Sequence, residues 1–350
     1  MDVVILGASG YGGGELLRLL DTHPRLRSVQ GVSRQSAGKA FAAVHPNLRG
    51  VVAGHFAADI DWRALADSPC PVVFAAMPHG EFARQLPALE AAWADAGLAE
   101  RLTVIDLSGD FRLASDAEFA QSYGGPHPCP ERLPQFLYGL SEWRRSVLPG
   151  ARRIANPGCF ATALQLALLP LLALGEQTPP WVAVSAITGS SGSGASASET
   201  THHPTRAHDF RAYKQLSHQH EGEIRRTLRE AGSRLDFAFV PHSAPLVRGI
   251  FATLMFPCPG ISAATLRERY ADAYAQAPFV RLVDGTPRIA AVVGSNYADL
   301  AVTVARGQAS VTVAIDNLVK GMAGQAIQNL NLAQGWDERE GLRGAALFPG

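Results

Sequence analysis

Residues 2–20 read DVVILGASGYGGGELLRLL, and this stretch decides the fold of the first half of the chain. Residues 3–6 are a short β-branched run, which predicts a buried strand, and the leucine-rich residues 15–20 predict a helix. Glycines in the turn between them let a backbone approach a pyrophosphate, and the helix N-terminus offers N–H groups to it. We therefore predict a dinucleotide site, with an ordinary tight turn as the alternative. Its predicted cofactor-binding residues are Gly7, Ala8, Ser9, Gly10, Tyr11 and Gly12.

The end of the second strand, residues 28–34, bears on the type of dinucleotide. An NAD-specific site usually places an acidic residue here to hold the ribose 2′-hydroxyl. This chain has Ser33 and Arg34 instead. A hydroxyl and a guanidinium suit a 2′-phosphate, so the sequence favours NADP over NAD. The alternative is an arginine exposed to solvent.

Strand-like and helix-like segments continue to alternate, which predicts a parallel sheet. Residues 71–76 and 102–107 read as buried strands, and residues 81–96 between them read as a helix. Ligands of such sheets bind at the carboxyl ends of the strands. Pro78 and Arg112 lie at those ends. We predict that Pro78 contacts the cofactor and that Arg112 holds an anionic substrate. Residues 114–143 read as an irregular connection.

A cysteine follows a run of turn formers in residues 156–162, which read NPGCFAT. The next segment, residues 163–174, is apolar and predicts a helix, so Cys159 is expected at or near a helix N-terminus. Free N–H groups and the helix dipole favour a thiolate there, which makes Cys159 a candidate nucleophile. The alternative is a small buried cysteine in a tight turn.

The second half of the chain predicts a different sheet. Residues 182–187, 237–240, 249–256 and 309–315 read as strands of a mainly antiparallel sheet, and residues 266–275 read as a helix. A loop of small residues at 188–198 is either a flexible linker or a surface for a flat ligand ring. Its predicted cofactor contacts are Gly189, Ser191 and Gly192, joined by Asn317 if the last helix returns to the first domain.

Two histidines are candidate partners for the cysteine. A neutral imidazole at His218 or His220 can take the thiol proton and later return a proton to an oxyanion. On an extended chain both would face the same side, and Glu221 or Glu223 could orient an imidazole. The alternatives are a zinc site, which needs ligands in other spacings, and surface histidines in a loop. Arg206 and Lys214 are further candidates for binding an anionic substrate.

Composition excludes several classes of protein. The chain has 350 residues, 31 basic and 31 acidic side chains and a formal net charge of zero, which argues against a nucleic-acid or membrane-surface protein. Its four cysteines show no CxxC spacing, which favours a reducing cytoplasm. The N-terminus does not read as a signal peptide, and we expect no membrane span.

Taken together, these stretches resemble the N-acetyl-γ-glutamyl-phosphate reductases, within the aspartate-semialdehyde dehydrogenase superfamily. The matching motifs are the glycine loop from Gly7 to Gly13, residues 45–50, 78–80 and 110–113, Tyr138-Gly139-Leu140, Asn156 to Cys159, His218-x-His220-x-x-Glu223-Ile224, residues 294–296 and residues 314–321. The resemblance implies an α/β fold with a Rossmann-like parallel sheet at residues 1–158, joined by the C-terminal helix at about 317–350. It also implies an α+β catalytic and dimerisation domain at residues 159–316.

The same resemblance implies an activity, which is NADPH-dependent reductive dephosphorylation of a small acyl phosphate through a cysteine thioester. Its expected catalytic residues are Cys159, His220 and His218, and its expected substrate-binding residues are Arg112, Asn156 and Glu223, with no metal. A cytoplasmic homodimer or homotetramer is expected.

The region from Ser190 to Arg206 departs from the arginine-pathway pattern. It is more similar to sister enzymes that reduce a carrier-protein-linked aminoadipyl phosphate, so a carrier protein is an alternative partner. N-succinylglutamyl phosphate is another alternative substrate, and a non-catalytic NADP-binding regulator is an alternative function.

Overall fold

The computed structural model describes residues 1–348, which divide into two compact units. The first unit comprises Met1–Pro157 and Met322–Arg343. The second unit comprises Gly158–Gly321 and the described residues of the C-terminal tail. The chain therefore leaves the first unit immediately before Gly158 and Cys159, and returns to it after Gly321.

The first unit is built on a six-stranded sheet in which every strand pair is parallel. Its elements are β1 (Asp2–Leu6), α1 (Tyr11–Asp21), β2 (Ser28–Val32), α2 (Phe41–Val44), α3 (Trp62–Ala66), β3 (Pro71–Ala75), α4 (Glu81–Asp95), β4 (Thr103–Asp106), α5 (Asp116–Tyr123), β5 (Leu137–Tyr138) and β6 (Arg153–Ala155). The strand order is β2-β1-β3-β4-β6-β5. Since β2 and β3 flank β1, the loop after β1 lies at the switch point where ligands of such sheets bind.

Helix α1 begins at Tyr11, four residues earlier than predicted, and it includes three of the glycines. Packing explains why glycine is needed there. A Cβ at Gly13 would lie 2.5 Å from the backbone of Ala8, and one at Gly14 would lie 2.7 Å from Nδ1 of His45. The glycines therefore serve close packing of the helix as well as the turn.

The predicted irregular connection at residues 114–143 contains α5, a helix that the sequence analysis missed. Ser115 caps it by accepting the N–H of Glu118, and two acidic residues lie in its first turn. These are ordinary signals of a helix start. They were overlooked because the neighbouring sequence is rich in Gly and Pro, which are typical of irregular connections.

The second unit is built on a seven-stranded mixed sheet in the order β11-β12-β13-β10-β7-β9-β8. Its elements are α6 (Cys159–Leu168), β7 (Trp181–Thr188), α7 (His203–Arg206), β8 (Arg211–Ala212), α8 (His220–Glu230), β9 (Asp236–Ser243), β10 (Ile250–Pro257), α9 (Ala263–Tyr274), β11 (Val280–Leu282), β12 (Ala298–Ala305) and β13 (Gln308–Ile315). Most of its pairs are antiparallel as predicted, but β7 pairs with β9, and β11 with β12, in parallel.

Helix α6 is the apolar centre of the second unit. Every residue after Cys159 in this helix is buried, and the α-helix gives way to a 3-10 segment, Leu169–Gln177, at the position of Pro170. Proline lacks the N–H that an α-helix needs, which accounts for the change. By length and hydropathy, Cys159–Gln177 meets the criteria of a membrane span, but 67% of that window is buried inside the fold, as in a core helix.

The last helix is α10 (Gly324–Ala333), which packs in the first unit against α1 and β4. A π-helical turn, Val319–Ala323, precedes it. Each residue of α10 is buried, including Asn329 and Gln325, whose amides bond to the carbonyl oxygen of Gly139. The return of the chain thus completes the first unit.

Candidate active site

The glycine loop of the first unit has the geometry of an anion-binding turn. Gly7 has φ +76°, and a Cβ there would lie 2.5 Å from the carbonyl oxygen of Ala76, so only glycine fits. Gly10 is the N-cap of α1 and supplies no side-chain cap to it. The first N–H groups of α1 therefore have no side-chain acceptor from the cap, which suits the pyrophosphate of a dinucleotide.

Ser33 and Arg34 follow β2 at the same end of the sheet. The hydroxyl of Ser33 lies 2.8 Å from the hydroxyl of Ser9, and Ser33 also caps a short 3-10 turn by accepting the N–H of Ser36. Arg34 is exposed and forms no ion pair within residues 1–348. The structure therefore joins the glycine loop to the end of β2 through a pair of hydroxyls.

Arg112 and Asn156 lie together and are buried in the first unit. Nε of Arg112 donates to the carbonyl oxygen of Asn156 at 2.7 Å, and Nη2 donates to that of Leu107 at 2.8 Å. The Asn156 amide donates to the carbonyl oxygen of Met322 and accepts from Asn329. These contacts hold the segment that precedes the cysteine. Pro78, by contrast, is exposed after β3.

Asp106 ends β4 as a fully buried carboxyl beside Asp110. Its Oδ1 accepts the N–H of Ser108, while Oδ2 has no hydrogen-bond partner in the described part of the chain. Burial, and then the charge of Asp110, raise the pKa of Asp106 from 3.8 to about 7. A protonated carboxyl is therefore expected here below neutral pH.

Cys159 is the first residue of α6, as predicted. Gly158 precedes it as an extended N-cap without a side-chain cap, so the sulfur sits where helix N–H groups and the helix dipole favour negative charge. A Cβ at Gly321 would lie 2.7 Å from Cβ of Cys159. The half-buried cysteine is thus enclosed closely by backbone of its own unit.

Helix α8 brings His220 and Glu223 to the same place. His220 begins α8, and a Cβ at Gly158 would lie only 2.4 Å from Nε2 of His220. Oε2 of the fully buried Glu223 accepts the N–H of Gly158 at 2.9 Å. Two helix N-termini, one with the cysteine and one with the histidine, therefore converge, and glycine at position 158 is what permits the approach.

His218 and His220 do not lie on an extended chain, because His220 is already helical and the residue between them has helical dihedral angles. The two rings still lie close, with centroids 4.7 Å apart. The backbone N–H of His220 donates to Nδ1 of His218 at 3.2 Å, which makes Nδ1 an acceptor. Burial and the charge of Lys214 lower the pKa of His218 to about 3. His218 is therefore a neutral imidazole that carries its proton on Nε2.

Tyr213 is a neighbour of this cluster that the sequence analysis did not identify. Its ring lies 5.9 Å from that of His218, and burial together with the negative charge of a Cys159 thiolate raises the pKa of its phenol. No local pattern marks Tyr213, because β8 places it there by pairing with β9.

The loop after β7 meets the end of β13 within the second unit. Asn317 is buried, its Oδ1 accepts the N–H of Gly249 at 2.7 Å, and its Nδ2 donates to the hydroxyl of Ser191 at 3.0 Å. A Cβ at Gly189 would lie 2.5 Å from the carbonyl oxygen of Val247. A Cβ at Gly192 would lie 3.8 Å from Nδ2 of Asn317. The structure therefore brings together the four predicted cofactor contacts of this unit, Gly189, Ser191, Gly192 and Asn317.

Within residues 1–348 there is no group of three or more His, Cys, Asp and Glu side chains that could hold a metal ion.

Protein-family models match both halves of the chain. The NAD binding domain of semialdehyde dehydrogenases matches residues 2–151, and the semialdehyde dehydrogenase dimerisation domain matches residues 159–317. The second match begins at Cys159.

Curated relatives match over the full length. A protein of Halorhodospira halophila named N-acetyl-gamma-glutamyl-phosphate reductase is 42% identical, with 100% of both chains covered. A Deinococcus radiodurans protein named (LysW)-L-2-aminoadipate 6-phosphate reductase is 41% identical, covering 99% of this chain and 98% of that one.

Solved structures share the fold. Aspartate semialdehyde dehydrogenase II of Vibrio cholerae matches with a TM-score of 0.66 at 17% identity, covering 95% of this chain and 97% of that one. The enzyme of Candida albicans, solved with NADP, matches with a TM-score of 0.59 at 15% identity, covering 95% and 99%.

Proposed function

Because this chain belongs to the semialdehyde dehydrogenase family of aldehyde-forming oxidoreductases, we propose that it reduces an acyl phosphate to an aldehyde through a thioester on Cys159. The substrate we place first is N-acetyl-γ-glutamyl phosphate, as in arginine biosynthesis, and the product is then N-acetylglutamate 5-semialdehyde. The observation that carries the proposal is the convergence of Cys159 and His220 at two helix N-termini, joined by the hydrogen bond from Gly158 to Glu223.

Cys159 is the nucleophile in this scheme. Its sulfur attacks the acyl carbonyl, the C–O bond to phosphate breaks, and inorganic phosphate leaves with the bonding electron pair. The first N–H groups of α6 are placed to stabilise the oxyanion of the tetrahedral intermediate. The product of this half-reaction is a thioester on Cys159.

His220 carries the proton. It takes the thiol proton as Cys159 attacks, and it returns a proton when the thiohemiacetal collapses to the aldehyde and free cysteine. His218 is the weaker candidate, because it is held as a neutral imidazole whose pKa is about 3 and whose Nδ1 accepts the N–H of His220. We therefore assign His218 to positioning His220.

The residues of the first unit fit a nicotinamide dinucleotide, and we propose NADPH. The glycine loop and the N-terminus of α1 hold the pyrophosphate, and Ser33 with Arg34 holds the 2′-phosphate. When bound, the cofactor supplies the hydride that reduces the thioester. Pro78 and the cluster of Gly189, Ser191, Gly192 and Asn317 are proposed cofactor contacts.

A carrier-linked aminoadipyl phosphate is the second candidate substrate. The Deinococcus radiodurans relative favours it, since it is 41% identical over 357 residues and is named for that substrate. The reaction chemistry would be the same, and the partner would be a carrier protein. The loop that precedes Arg206 is the region where this chain departs from the arginine-pathway pattern.

The reverse reaction tests the proposal without the unstable acyl phosphate. Enzyme, NADP and inorganic phosphate are mixed at alkaline pH with N-acetylglutamate semialdehyde, and absorbance of the reduced cofactor is followed. Turnover supports the arginine substrate. Turnover only with the carrier-linked aminoadipate semialdehyde supports the second candidate. No turnover with either aldehyde overturns the proposal.

We also propose that two copies of the chain associate through the open face of the second sheet. The chain matches a dimerisation domain, and the alternate residues of β7 and β10 on that face are uncharged and partly or fully exposed, with Trp181 and Met255 the large exposed ones. The molar mass in solution measures this association directly.

A further inference from the structure

Arg206 is a buried cation without a carboxylate partner. It ends α7, and only 8% of its surface is exposed. Within residues 1–348 it forms no ion pair, since the nearby Asp209 pairs with Arg211. Its guanidinium donates to neutral acceptors instead, namely the Ser243 hydroxyl and the carbonyl oxygen of Ala244 at 2.9 Å. Its Nε, which is also buried, has no hydrogen-bond partner in the described chain.

Such an arrangement is unfavourable unless an anion completes it. Removing a guanidinium from water is costly, and hydrogen bonds to neutral acceptors return only part of this cost. Arginine cannot escape the cost by losing its proton. Burial, and then the charge of Arg211, lower the pKa of Arg206, and the opposing influence of Tyr213 and Asp209 does not offset them. An incoming carboxylate or phosphate would supply the missing countercharge and an acceptor for Nε.

The location of Arg206 connects it with the reacting cysteine. Its acceptors lie at the carboxyl ends of β7 and β9. Nη2 also donates to the carbonyl oxygen of Thr188, the last residue of β7, at 3.5 Å, and Ser243 is the last residue of β9. Tyr213 follows β8, in which Arg211 pairs with Ser243, and its ring lies 5.9 Å from that of His218. Its phenol also interacts electrostatically with both Arg206 and Cys159. All of these residues belong to the second unit.

From these contacts, we infer that Arg206 binds an anionic group of the acyl substrate, on the Tyr213 side of Cys159. This inference rests on the proposed function and extends it to a residue that selects the substrate. N-acetyl-γ-glutamyl phosphate carries two anionic groups, a carboxylate and a phosphate. The planar guanidinium can receive either group through paired hydrogen bonds, and the experiment distinguishes them.

The first experiment compares Arg206→Gln with Arg211→Gln in the reverse reaction. The control removes the same charge from the same segment, but from an arginine that is already paired with Asp209. Arg206→Gln should raise one KM by roughly ten- to a hundredfold, with a smaller change in kcat, because a charge-assisted contact is lost. A rise in KM for the aldehyde identifies the substrate carboxylate as the group that Arg206 binds. A rise in KM for inorganic phosphate identifies the phosphate as that group. The inference is overturned if Arg206→Gln leaves both KM values unchanged, or if Arg211→Gln raises the same KM equally.

A second experiment needs no turnover and therefore separates this inference from the proposed function. Cys159 is alkylated in parallel with iodoacetate, which is anionic, and with iodoacetamide, which is neutral. Arg206 should favour the anionic reagent, so Arg206→Gln should lower the ratio of the two rates by about fivefold or more, while Arg211→Gln leaves it unchanged. Should Arg206→Gln fail to fold, the KM values of Arg206→Lys are measured instead.

The lysine variant retains the charge but not the paired donors. It should keep the ratio of alkylation rates near that of the unmodified protein while still raising the affected KM. An unchanged ratio in Arg206→Gln, or an unchanged KM in Arg206→Lys, overturns the inference, even if the enzyme proves active on both candidate substrates.

Discussion

Glu223 and Gly158 are joined by a 2.9 Å hydrogen bond in which the backbone N–H of Gly158 donates to a fully buried carboxylate. The bond ties the start of α6, with Cys159, to the first turn of α8, with His220. Glu223 was predicted to bind substrate, and in the structure it accepts the backbone N–H of the residue that precedes the nucleophile. This geometry supports a positioning role.

Removal of the Glu223 carboxylate should therefore misplace the nucleophile. We expect Glu223→Ala to lower kcat by about tenfold or more and to slow alkylation of Cys159, because a buried N–H loses its acceptor. Glu223→Gln keeps an acceptor and should lose less. Glu230→Ala, at the far end of α8, is the control. A Glu223→Ala enzyme with unaltered kcat and alkylation rate would contradict the positioning role.

The two histidines should differ in their effect on turnover. We expect His220→Asn to lower kcat by roughly 10²- to 10⁴-fold, as for loss of a general acid–base group. His218→Asn should retain kcat within about tenfold, because Oδ1 of asparagine can accept the N–H of residue 220 as Nδ1 does now. Steady-state kinetics of both variants decides the assignment, and the reverse order of losses would show that His218 carries the proton.

Cys159 should be both the essential and the most reactive thiol. Cys159→Ala is expected to abolish turnover while NADPH binding, followed by fluorescence, stays nearly unchanged. Cys70→Ala is the control, since Cys70 is also half-buried but burial raises the pKa of its thiol. Iodoacetamide at neutral pH should label Cys159 faster than Cys70. Substantial activity in Cys159→Ala would rule out the thioester route.

Arg34 should determine the preference between the two nicotinamide cofactors. We expect Arg34→Ala to raise KM for NADPH by about tenfold or more and to leave KM for NADH nearly unchanged, because only NADPH carries the 2′-phosphate. Arg27→Ala, another exposed arginine, which precedes β2, is the control. An equal rise in KM for both cofactors would contradict the assignment of Arg34 to the 2′-phosphate.

Asp106 should make the stability of the protein depend on pH. Its pKa is raised in the fold from 3.8 to about 7, so its contribution to the free energy of unfolding is fully present below pH 3.8 and is lost as pH rises to about 7. Asp106→Asn should remove this slope in urea titrations between pH 4 and 7, roughly. Asp95→Asn, an exposed carboxyl at the end of α4, should retain it. If the free energy of unfolding of the Asp106→Asn variant had the same pH dependence as that of the unmodified protein, Asp106 would not be its cause.

Periodicity and turn chemistry in the sequence determined the fold class. Strand, glycine turn and helix at residues 2–21, and the further strands that end before Pro78 and Ser108, are local patterns, and the structure confirms them as a parallel sheet. Cys159 at the start of a helix is also local, since turn formers directly precede an apolar run. The family resemblance was visible for the same reason, because its motifs are short stretches.

Contacts between distant residues were decided only by the tertiary structure. Nothing in the spacing of Gly158 and Glu223 indicates a hydrogen bond, because α8 must first pack against α6. The helix that begins at His220 removes the extended geometry on which both imidazoles would face the same side. Tyr213 and Arg206 acquire their surroundings from β7, β8 and β9, and the burial of an arginine charge is a property of that packing. Local sequence specifies elements, whereas burial and electrostatic environment depend on which elements meet.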